Sequence, residues 1–216
     1  MIITIDGTSG SGKSTVSRKF AKKQNMSLLN TGSLYRKITL DCLISGIKIE
    51  DREAVISAAA HCDFEKKNEF HLNDEKISRL VPLIAQIPEV RKIVKDYQKE
   101  LGTAGNIVIE GRDIGTVVFP EAPLKFYITA SPETRARRKF EELKAKGIEE
   151  DYQMVLENII NRDRADEGRK ISPLKIPDGA VVIDTSELTI EQVVGQMEEE
   201  VRELKAESGK RTDEVN

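Results

Sequence analysis

One glycine-rich stretch near the amino terminus constrains the fold of this chain more than any other feature. It lies between an apolar run over residues 2–5 and a pattern typical of a helix. It matches the phosphate loop G-x-x-x-x-G-K-[ST], which requires a buried strand before it and a helix after it. The residues of the stretch are Gly7, Thr8, Ser9, Gly10, Ser11, Gly12, Lys13, Ser14 and Thr15.

Each part of this loop has a chemical task. The glycines allow a tight turn whose N–H groups point inward, and the helix N-terminus adds partial positive charge toward the same anion. Lys13 would reach the β and γ phosphates, and the Ser14 hydroxyl would bind Mg²⁺. The sequence therefore predicts that the loop binds ATP or another nucleoside triphosphate, and leaves open where the phosphoryl group goes.

Bulk properties exclude several classes of protein. A chain of 216 residues with 33% charged side chains can form one soluble domain, and its net charge of −3 does not suggest nucleic-acid binding. No apolar run approaches the roughly 20 residues that span a membrane. Cys42 and Cys62 lack C-x-x-C spacing and are expected to be reduced thiols. No leader sequence is recognised, so a cytoplasmic location is predicted.

The hydrophobic pattern predicts an α/β fold, with a parallel five-stranded sheet flanked by helices. Strands are expected at 2–5, 27–29, 107–109, 124–129 and 180–184. Helices are expected at 13–23, 33–45, 50–61, 89–101, 132–147, 151–166 and 190–204, with a short helical stretch around 80–86. Residues 64–78 are interpreted as a hairpin with a turn at Asn73-Asp74, which indicates an insert. The polar tail 205–216 is expected to be frayed or disordered.

Candidate ligands follow the third predicted strand, because the carboxyl ends of parallel strands line the binding crevice in α/β folds. Arg112 and Asp113 lie there, and Glu110 ends the strand, where it could hold Mg²⁺ through water. The alternative for Arg112 and Asp113 is a surface ion pair worth about 0–1 kcal/mol.

Other arginines are candidates for phosphate binding, because a guanidinium can bind two phosphate oxygens at once. Arg162, Asp166 and Arg169 share one face of a helix if it continues, although such spacing also fits a solvated face. Arg36 and Arg91 are candidates whose alternative is an ordinary surface position. The basic run Arg135, Arg137 and Arg138 either contacts ATP phosphates or forms a solvated face. His61 and His71 are expected to be structural or surface residues.

Five segments, taken together, resemble the bacterial cytidylate kinase family. The resemblance extends from residue 2 to about residue 204, and the segment 110–120 is highly specific for the family. The segments are the phosphate loop, LNTGSLYR at 29–36, IPEVR at 87–91, EGRDIGTVVFP at 110–120, and the pattern of Arg162-Asp163, Asp166, Arg169 and Ser172-Pro173-Leu174.

This resemblance implies a monomeric P-loop kinase with an adenylate-kinase-like fold. It would transfer the γ-phosphoryl group of ATP to CMP or dCMP, with Mg²⁺, in pyrimidine metabolism. The implied core comprises 1–62, 103–143 and 167–204. The implied monophosphate-binding insert is about 63–102, and the implied lid is about 144–166, with both expected to close on substrate.

The resemblance also implies residue roles. Arg36, Arg112 and Arg169 would hold the acceptor phosphate. Arg91 and Asp113 would contact the cytosine edge, where a carboxylate can accept from the amino group that uracil lacks. The remaining implied contacts are Thr31 near the acceptor, and Arg162 and Asp166 at the ribose, with Arg162 near the transferring phosphoryl. The implied catalytic residues are Lys13, Arg112, Arg162 and Arg169.

Two positions depart from the family pattern. Pro82 stands where a serine that helps bind cytosine is usual, and Ser78 is a candidate substitute. The pair Asn30-Thr31 replaces a common aspartate–serine pair, although Thr31 keeps a hydroxyl. A kinase for UMP or AMP is therefore an alternative. A nucleotide-dependent switch is a more distant alternative, because the chain has no N-K-x-D motif and carries arginines for a second nucleotide.

Overall fold

The computed structural model describes residues 1–65 and 75–213. The chain forms two compact units. The first comprises Met1–Leu29 and Asn106–Asn216, and the second comprises Asn30–Gly105.

A five-stranded sheet is the centre of the first unit. Its strands are β1 (Ile2–Gly7), β2 (Ser27–Asn30), β3 (Ile107–Glu110), β4 (Leu124–Thr129) and β5 (Val181–Asp184). Their spatial order is β2-β3-β1-β4-β5, and β1 pairs in parallel with both β3 and β4. The predicted α/β class with a five-stranded parallel sheet is confirmed. This order places the C-terminal end of β1, where the phosphate loop begins, in the middle of the sheet.

Helices cover the sheet and build the second unit. They are α1 (Lys13–Lys23), α2 (Thr31–Ile44), α3 (Arg52–Ala60), α4 (Glu75–Ile84), α5 (Pro88–Thr103), α6 (Pro132–Ala145), α7 (Tyr152–Glu167) and α8 (Ile190–Asp213). A π-helical turn, Ile114–Val118, follows β3 and was not predicted from the sequence.

The main hydrophobic core lies between β1, β4, α1 and α8. Ile3, Ile5 and Met197 are fully buried there, and Phe20 meets Phe126 edge to face with ring centroids 5.9 Å apart. Each fully buried aliphatic or aromatic side chain stabilises the fold by about 1.5–3 kcal/mol. This packing fixes α1 against the sheet and thereby fixes the loop that leads into it.

Helices α6 and α7 carry a smaller apolar cluster of their own. Ala136 and Leu143 on α6 pack against Val155 and Ile159 on α7. Ser131 caps α6 by accepting the N–H of Thr134 at 3.2 Å, with proline at the first helical position as the sequence predicts. The two helices therefore form a hairpin with internal cohesion.

Four helices, α2 to α5, form the described part of the second unit together with the turns that connect them. Asn30 caps α2 by accepting the N–H of Ser33 at 3.1 Å, and α2 packs against α3, α4 and α5. Cys42 and Cys62 are free thiols, as expected, and burial is the main cause that raises the pKa of Cys62 to about 12. His61 is exposed, and His71 lies outside the described residues.

Two predictions about secondary structure are wrong. The predicted strand that begins at Glu75 is the start of α4, whose helical period buries Ile77 and Ile84 seven residues apart, and Phe64 lies in a bend. Residues 66–74, where the hairpin turn was predicted, lie outside the described part. The predicted end of the last helix near residue 204 is also wrong, because α8 continues to Asp213.

Within the part of the chain that the structure describes, no helix has the length and apolar content needed to cross a bilayer.

Candidate active site

The phosphate loop leaves β1 in a conformation that requires glycine. Gly7 has a φ of 143°, and a Cβ built on it would lie 1.9 Å from the Ile128 carbonyl oxygen on the neighbouring strand. Gly12, at φ 86°, precedes α1 and accepts the N–H groups of Thr15 and Val16 at 3.1 Å. These two glycines let the loop turn tightly between strand and helix.

Lys13 lies beneath the loop. Its side chain is 5% exposed, donates to the Thr8 carbonyl oxygen and lies 3.5 Å from the Ser11 hydroxyl. Burial, and then the positive charge of Arg112, lower the pKa of Lys13 well below its usual value. A phosphate chain in the loop would supply the negative charge that stabilises the ammonium ion.

Ser14 and Glu110 place two oxygen ligands together. Glu110 ends β3 and is buried, and its Oε1 accepts the Ser14 hydroxyl at 2.6 Å. The contact joins residues 96 positions apart in the chain, because β3 pairs directly with β1. It brings together the two residues that sequence analysis assigned to a metal ion.

Asp166 gathers two of the predicted arginines. Its Oδ2 accepts Arg112 Nε at 2.9 Å, and its Oδ1 accepts Arg169 Nη2. Burial opposes ionisation of Asp166, but Arg112, Arg169 and the nearby Arg162 outweigh it and hold the pKa of this carboxyl below its usual value. Arg112 therefore pairs with Asp166 in a partly buried site, and the alternative of a surface ion pair with Asp113 is wrong.

The Arg112 guanidinium also contacts the phosphate loop. Its Nη1 donates to the Gly7 carbonyl oxygen at 2.9 Å. Arg162 lies one turn before Asp166 on α7, so the predicted common face exists for these two residues. It does not extend to Arg169, because α7 ends at Glu167. Asp113 precedes the π-helical turn and accepts the Val117 N–H at 2.9 Å through its carbonyl oxygen.

Asp6 is a site residue that sequence analysis missed. It is fully buried at the end of β1, where its two carboxylate oxygens accept the N–H groups of Ile114 at 2.9 Å and Gly115 at 2.7 Å. Burial raises its pKa to about 6, even though these hydrogen bonds act in the opposite direction. The signal in the sequence was an acidic residue that directly continues a buried apolar strand.

Arg135 was recognised only as part of a basic run. It is 2% exposed, with Nε donating to the Ala130 carbonyl oxygen and Nη1 to the Ser9 carbonyl oxygen. Its other bonds reach Asp163. Arg138 donates to the Thr185 carbonyl oxygen at 2.6 Å, whereas Arg137 is exposed. The solvated-face alternative thus fits Arg137 alone.

The other predicted acceptor residues belong to the second unit. Thr31 is buried in the first turn of α2, and Arg36 Nη2 lies 3.5 Å from Asn30 Oδ1. Arg91 is buried in α5 and donates to the Ala85 carbonyl oxygen at 3.1 Å. Pro82 and Ser78 lie one turn apart in α4. The roles of these residues at the acceptor stay predictions.

The fold and the phosphate loop together define a class of protein. A parallel sheet of order 2-3-1-4-5, with a lysine-containing phosphate loop after its central strand, is the framework of P-loop phosphotransferases. The solved shikimate kinase from Bacteroides thetaiotaomicron superposes with a TM-score of 0.53 and 13% identity, over 94% of this chain and 98% of that one. At this identity the likeness shows the fold alone.

Sequence comparison gives the family. The cytidylate kinase family model matches residues 3–203. The cytidylate kinase of Caldanaerobacter subterraneus is 46% identical over 93% of this chain and 94% of its own length. That of Clostridioides difficile is 38% identical over 91% and 96%. The chain belongs to the cytidylate kinase family, as the sequence motifs predict.

Proposed function

We propose that this protein transfers the γ-phosphoryl group of ATP to CMP or dCMP, giving ADP and CDP or dCDP. The observation that carries the proposal is the cluster of Arg112, Asp166 and Arg169 beside the phosphate loop of a cytidylate kinase family member. A loop for ATP alone has no need of these additional arginines. Kinases for UMP or AMP and a nucleotide-dependent switch have no observation in their favour.

The donor half of the site is the phosphate loop. We assign ATP binding to the residues from Gly7 to Thr15, with inward backbone N–H groups and the Lys13 ammonium around the phosphates. The buried Lys13 now donates to a carbonyl oxygen, which a phosphate oxygen would replace as the stronger, charged acceptor.

Mg²⁺ fits the oxygen ligands at Ser14 and Glu110. A hydroxyl and a carboxylate 2.6 Å apart are hard donors of the kind that this ion prefers. Among the described residues, no group of three or more His, Cys, Asp or Glu side chains is arranged for a metal ion, so phosphate oxygens and water would complete the coordination. The bound ion would neutralise charge on the β and γ phosphates, with Glu110 acting directly or through water.

The acceptor half consists of arginines and one carboxylate. We assign Arg36, Arg112 and Arg169 to the acceptor phosphate, because each guanidinium carries a fork of donors for phosphate oxygens. Arg91 and Asp113 would read the cytosine edge, with Thr31 near the acceptor. On α7, Arg162 and Asp166 would contact the ribose, with Arg162 near the transferring phosphoryl. Lys13, Arg112, Arg162 and Arg169 are the proposed catalytic residues.

Three regions have separate proposed tasks. Residues 1–62, 103–143 and 167–204 form the catalytic core, about 63–102 bind the monophosphate, and about 144–166 act as a lid. Closure would exclude water while two anionic groups approach each other. We further propose a monomer that acts in the cytoplasm in pyrimidine nucleotide metabolism, with small nucleotides as its partners.

A panel of acceptors tests the proposed function. CMP, dCMP, UMP and AMP are each supplied with ATP and Mg²⁺, and ADP release is followed by a coupled assay. We expect CMP and dCMP to give kcat/KM at least about tenfold above UMP, because uracil has a carbonyl oxygen where cytosine offers an amino group to Asp113. We expect the same margin over AMP, because the larger purine base differs from cytosine in shape. Faster turnover of UMP or AMP would replace the assigned acceptor, and no turnover with any of the four would reject kinase activity.

A further inference from the structure

Two arginines donate hydrogen bonds to carbonyl groups of the phosphate loop, and each of them also pairs with an aspartate of α7. Arg112 donates to the Gly7 carbonyl oxygen and to Asp166. Arg135 donates to the Ser9 carbonyl oxygen and to Asp163. Asp163 and Asp166 lie three residues apart near the end of α7, so both connections run from the loop to the same helical turn.

The Arg112–Asp166 and Arg135–Asp163 contacts differ in whether their residues are also assigned to substrate binding. Arg112 and Asp166 are assigned to substrate, so their mutual contact must compete with nucleotide. Arg135 is almost entirely used inside the protein. It makes four hydrogen bonds, including a two-point contact with the Asp163 carboxylate at 3.0 and 2.6 Å. A planar guanidinium in this fork geometry fixes orientation as well as distance.

Arg135 also supports the tip of the loop. A Cβ built on Gly10 would lie 3.5 Å from Arg135 Cβ, so the loop backbone rests on the first part of this side chain. Both members of the pair are well shielded, with side-chain exposures of 3% for Arg135 and 15% for Asp163. The contact is therefore weakly screened by salt and rigid in comparison with a surface ion pair.

The pair lies at the base of the α6–α7 hairpin. Arg135 is in the first turn of α6, whereas Leu143 and Val155 join the two helices nearer the tip. The apolar cluster keeps the hairpin together along its length, with Ala136 and Ile159 closer to the base. The Arg135–Asp163 contact fastens that base to the loop. Movement of a lid is then restricted to the tip, while the turn of α7 that carries Arg162 and Asp166 stays in place.

We propose that Arg135 and Asp163 are a positioning pair, which holds the last turn of α7 on the phosphate loop so that Arg162 is aligned with the ATP phosphates. The inference rests on the proposed phosphoryl transfer and narrows the lid to residues before Asp163. Neither residue touches substrate in this arrangement. Their effect is on the alignment of groups that do, which acts on kcat because a small displacement of a transition-state contact is costly.

Steady-state kinetics of matched variants test the pair. Arg135→Lys keeps the charge but removes the fork, and Asp163→Asn keeps the shape but removes the charge. The exposed Arg137→Lys on the same helix is the control. All are assayed well below their Tm. We expect each of the two variants to lower kcat by about tenfold or more with KM for CMP changed less than about threefold, and the control to stay within about twofold.

The double variant separates one joint role from two independent ones. If the residues act through their mutual contact, kcat of Arg135→Lys/Asp163→Asn should lie no more than about twofold below kcat of the less active single variant. Multiplicative losses, or kcat within twofold of the unmodified protein for both single variants, would overturn the proposal. A loss confined to Tm would show that the pair only stabilises the fold, which would also overturn it.

Hydrogen exchange gives a readout that does not depend on turnover. In the nucleotide-free protein, both variants should speed exchange over residues 160–167 while leaving β1 unchanged. In the unmodified protein, ADP with CMP should slow exchange over 144–158 and leave 160–167 unchanged. If the nucleotides slowed hydrogen exchange equally over 144–158 and 160–167, the last turn of α7 would not be fixed and the proposal would be rejected. This measurement uses the unmodified protein, so it does not depend on whether the variants fold. The wild-type protein could be inactive on every acceptor while the variants still show the expected faster exchange without nucleotide. That result would reject the proposed function but would support the structural role of the Arg135–Asp163 pair.

Discussion

Asp113 is the residue on which the proposed choice of acceptor base depends. It stands between Arg112 and the π-helical turn, and its position is set by hydrogen bonds from that turn to its carbonyl oxygen and to Asp6. A carboxylate accepts from the cytosine amino group but faces a carbonyl oxygen in uracil. The proposed preference for CMP over UMP thus follows from the hydrogen-bonding groups of one side chain.

Replacing Asp113 tests this assignment. Asp113→Ala should lower kcat/KM for CMP by about tenfold or more, with a much smaller change for UMP, because only cytosine loses a charged acceptor. Asp113→Asn is the matched control, since its amide oxygen can still accept and should retain part of the preference. Steady-state kinetics on both acceptors measure the ratio. Equal losses on CMP and UMP would remove Asp113 from base recognition.

Asp6 gives a pH dependence of stability whose sign is opposite to that of most carboxyl groups. Its folded pKa of about 6 lies above the ordinary aspartate pKa of 3.8, so between these values the folded state holds a proton that the unfolded state has lost. The unfolding free energy should therefore fall as pH rises from about 4 to 6, on the order of 3 kcal/mol, and then level off. Asp6→Asn should remove this decrease.

Urea unfolding of the wild type and Asp6→Asn between pH 4 and 7 measures the difference. Asp184→Asn is a control of opposite sign, because hydrogen bonds from Ser186 hold the pKa of Asp184 below its usual value. That stabilisation is present above the unfolded pKa of Asp184 and is lost on acidification. A pH-independent difference between the wild type and Asp6→Asn would contradict the burial of an ionisable Asp6.

At the scale of elements, the connections around the phosphate loop come from several segments. β1 ends in the loop, β3 supplies Glu110, and α7 supplies Asp163 and Asp166. β1 and β3 are neighbouring parallel strands, so their carboxyl ends lie at one edge of the sheet. The precision of the site therefore depends on the packing of these elements as much as on the loop itself.

The burial pattern of helix α8 predicts how truncation of the C-terminus affects stability. Its buried contacts come from Val193, Val194, Met197 and Val201, with Leu204 packed against the same core. Residues 205–207 are exposed. Truncation after Leu204 should therefore change the unfolding free energy by less than about 1 kcal/mol and leave kcat unaltered, because little apolar surface is lost. Truncation after Met197 is the contrasting variant. It removes the buried Val201 and should lower the unfolding free energy by more than truncation after Leu204 does. If truncation after Leu204 lowered the unfolding free energy by several kcal/mol, residues 205–216 would have a structural role.

At the scale of the whole molecule, the chain divides into two compact units. The first contains the sheet, the phosphate loop and the Asp166 cluster, and the second is built from α2–α5. Arg36 and Arg91 belong to the second unit, whereas Arg112 and Arg169 belong to the first.

The proposed monomer is a prediction about the whole chain. Sedimentation or light scattering should give a mass near 24.2 kDa at assay concentrations, with and without nucleotides. The large exposed apolar side chains include Ile44, Met154 and Val182, which lie on different elements rather than along one helix face. A concentration-dependent mass near twice this value would contradict the prediction, and kcat measured over the same range would show whether association matters for activity.

Much of the fold was predictable because local patterns determine it. The phosphate loop requires a strand, a turn and a helix in that order, and apolar runs located all five strands. The first turn of α4, from Glu75, was misassigned as strand because a short segment fits either period, although a helix was predicted over 80–86; packing against α2 decides. The π-helical turn was missed because the buried Asp6 carboxylate, distant in sequence, binds its first N–H groups.

The phosphate loop, the parallel α/β class and the family could be predicted from the amino-acid order, because each depends on residues in fixed local order. The same order indicated Arg112, Asp166 and Arg169 as candidates. The partners of the charged groups became clear from the folded structure: Arg112 pairs with Asp166 instead of the adjacent Asp113, and Arg135 pairs with Asp163 beneath the loop. Such pairings depend on the packing of β3, α6 and α7 around β1, and spacing along one helix or strand carries no information about that packing.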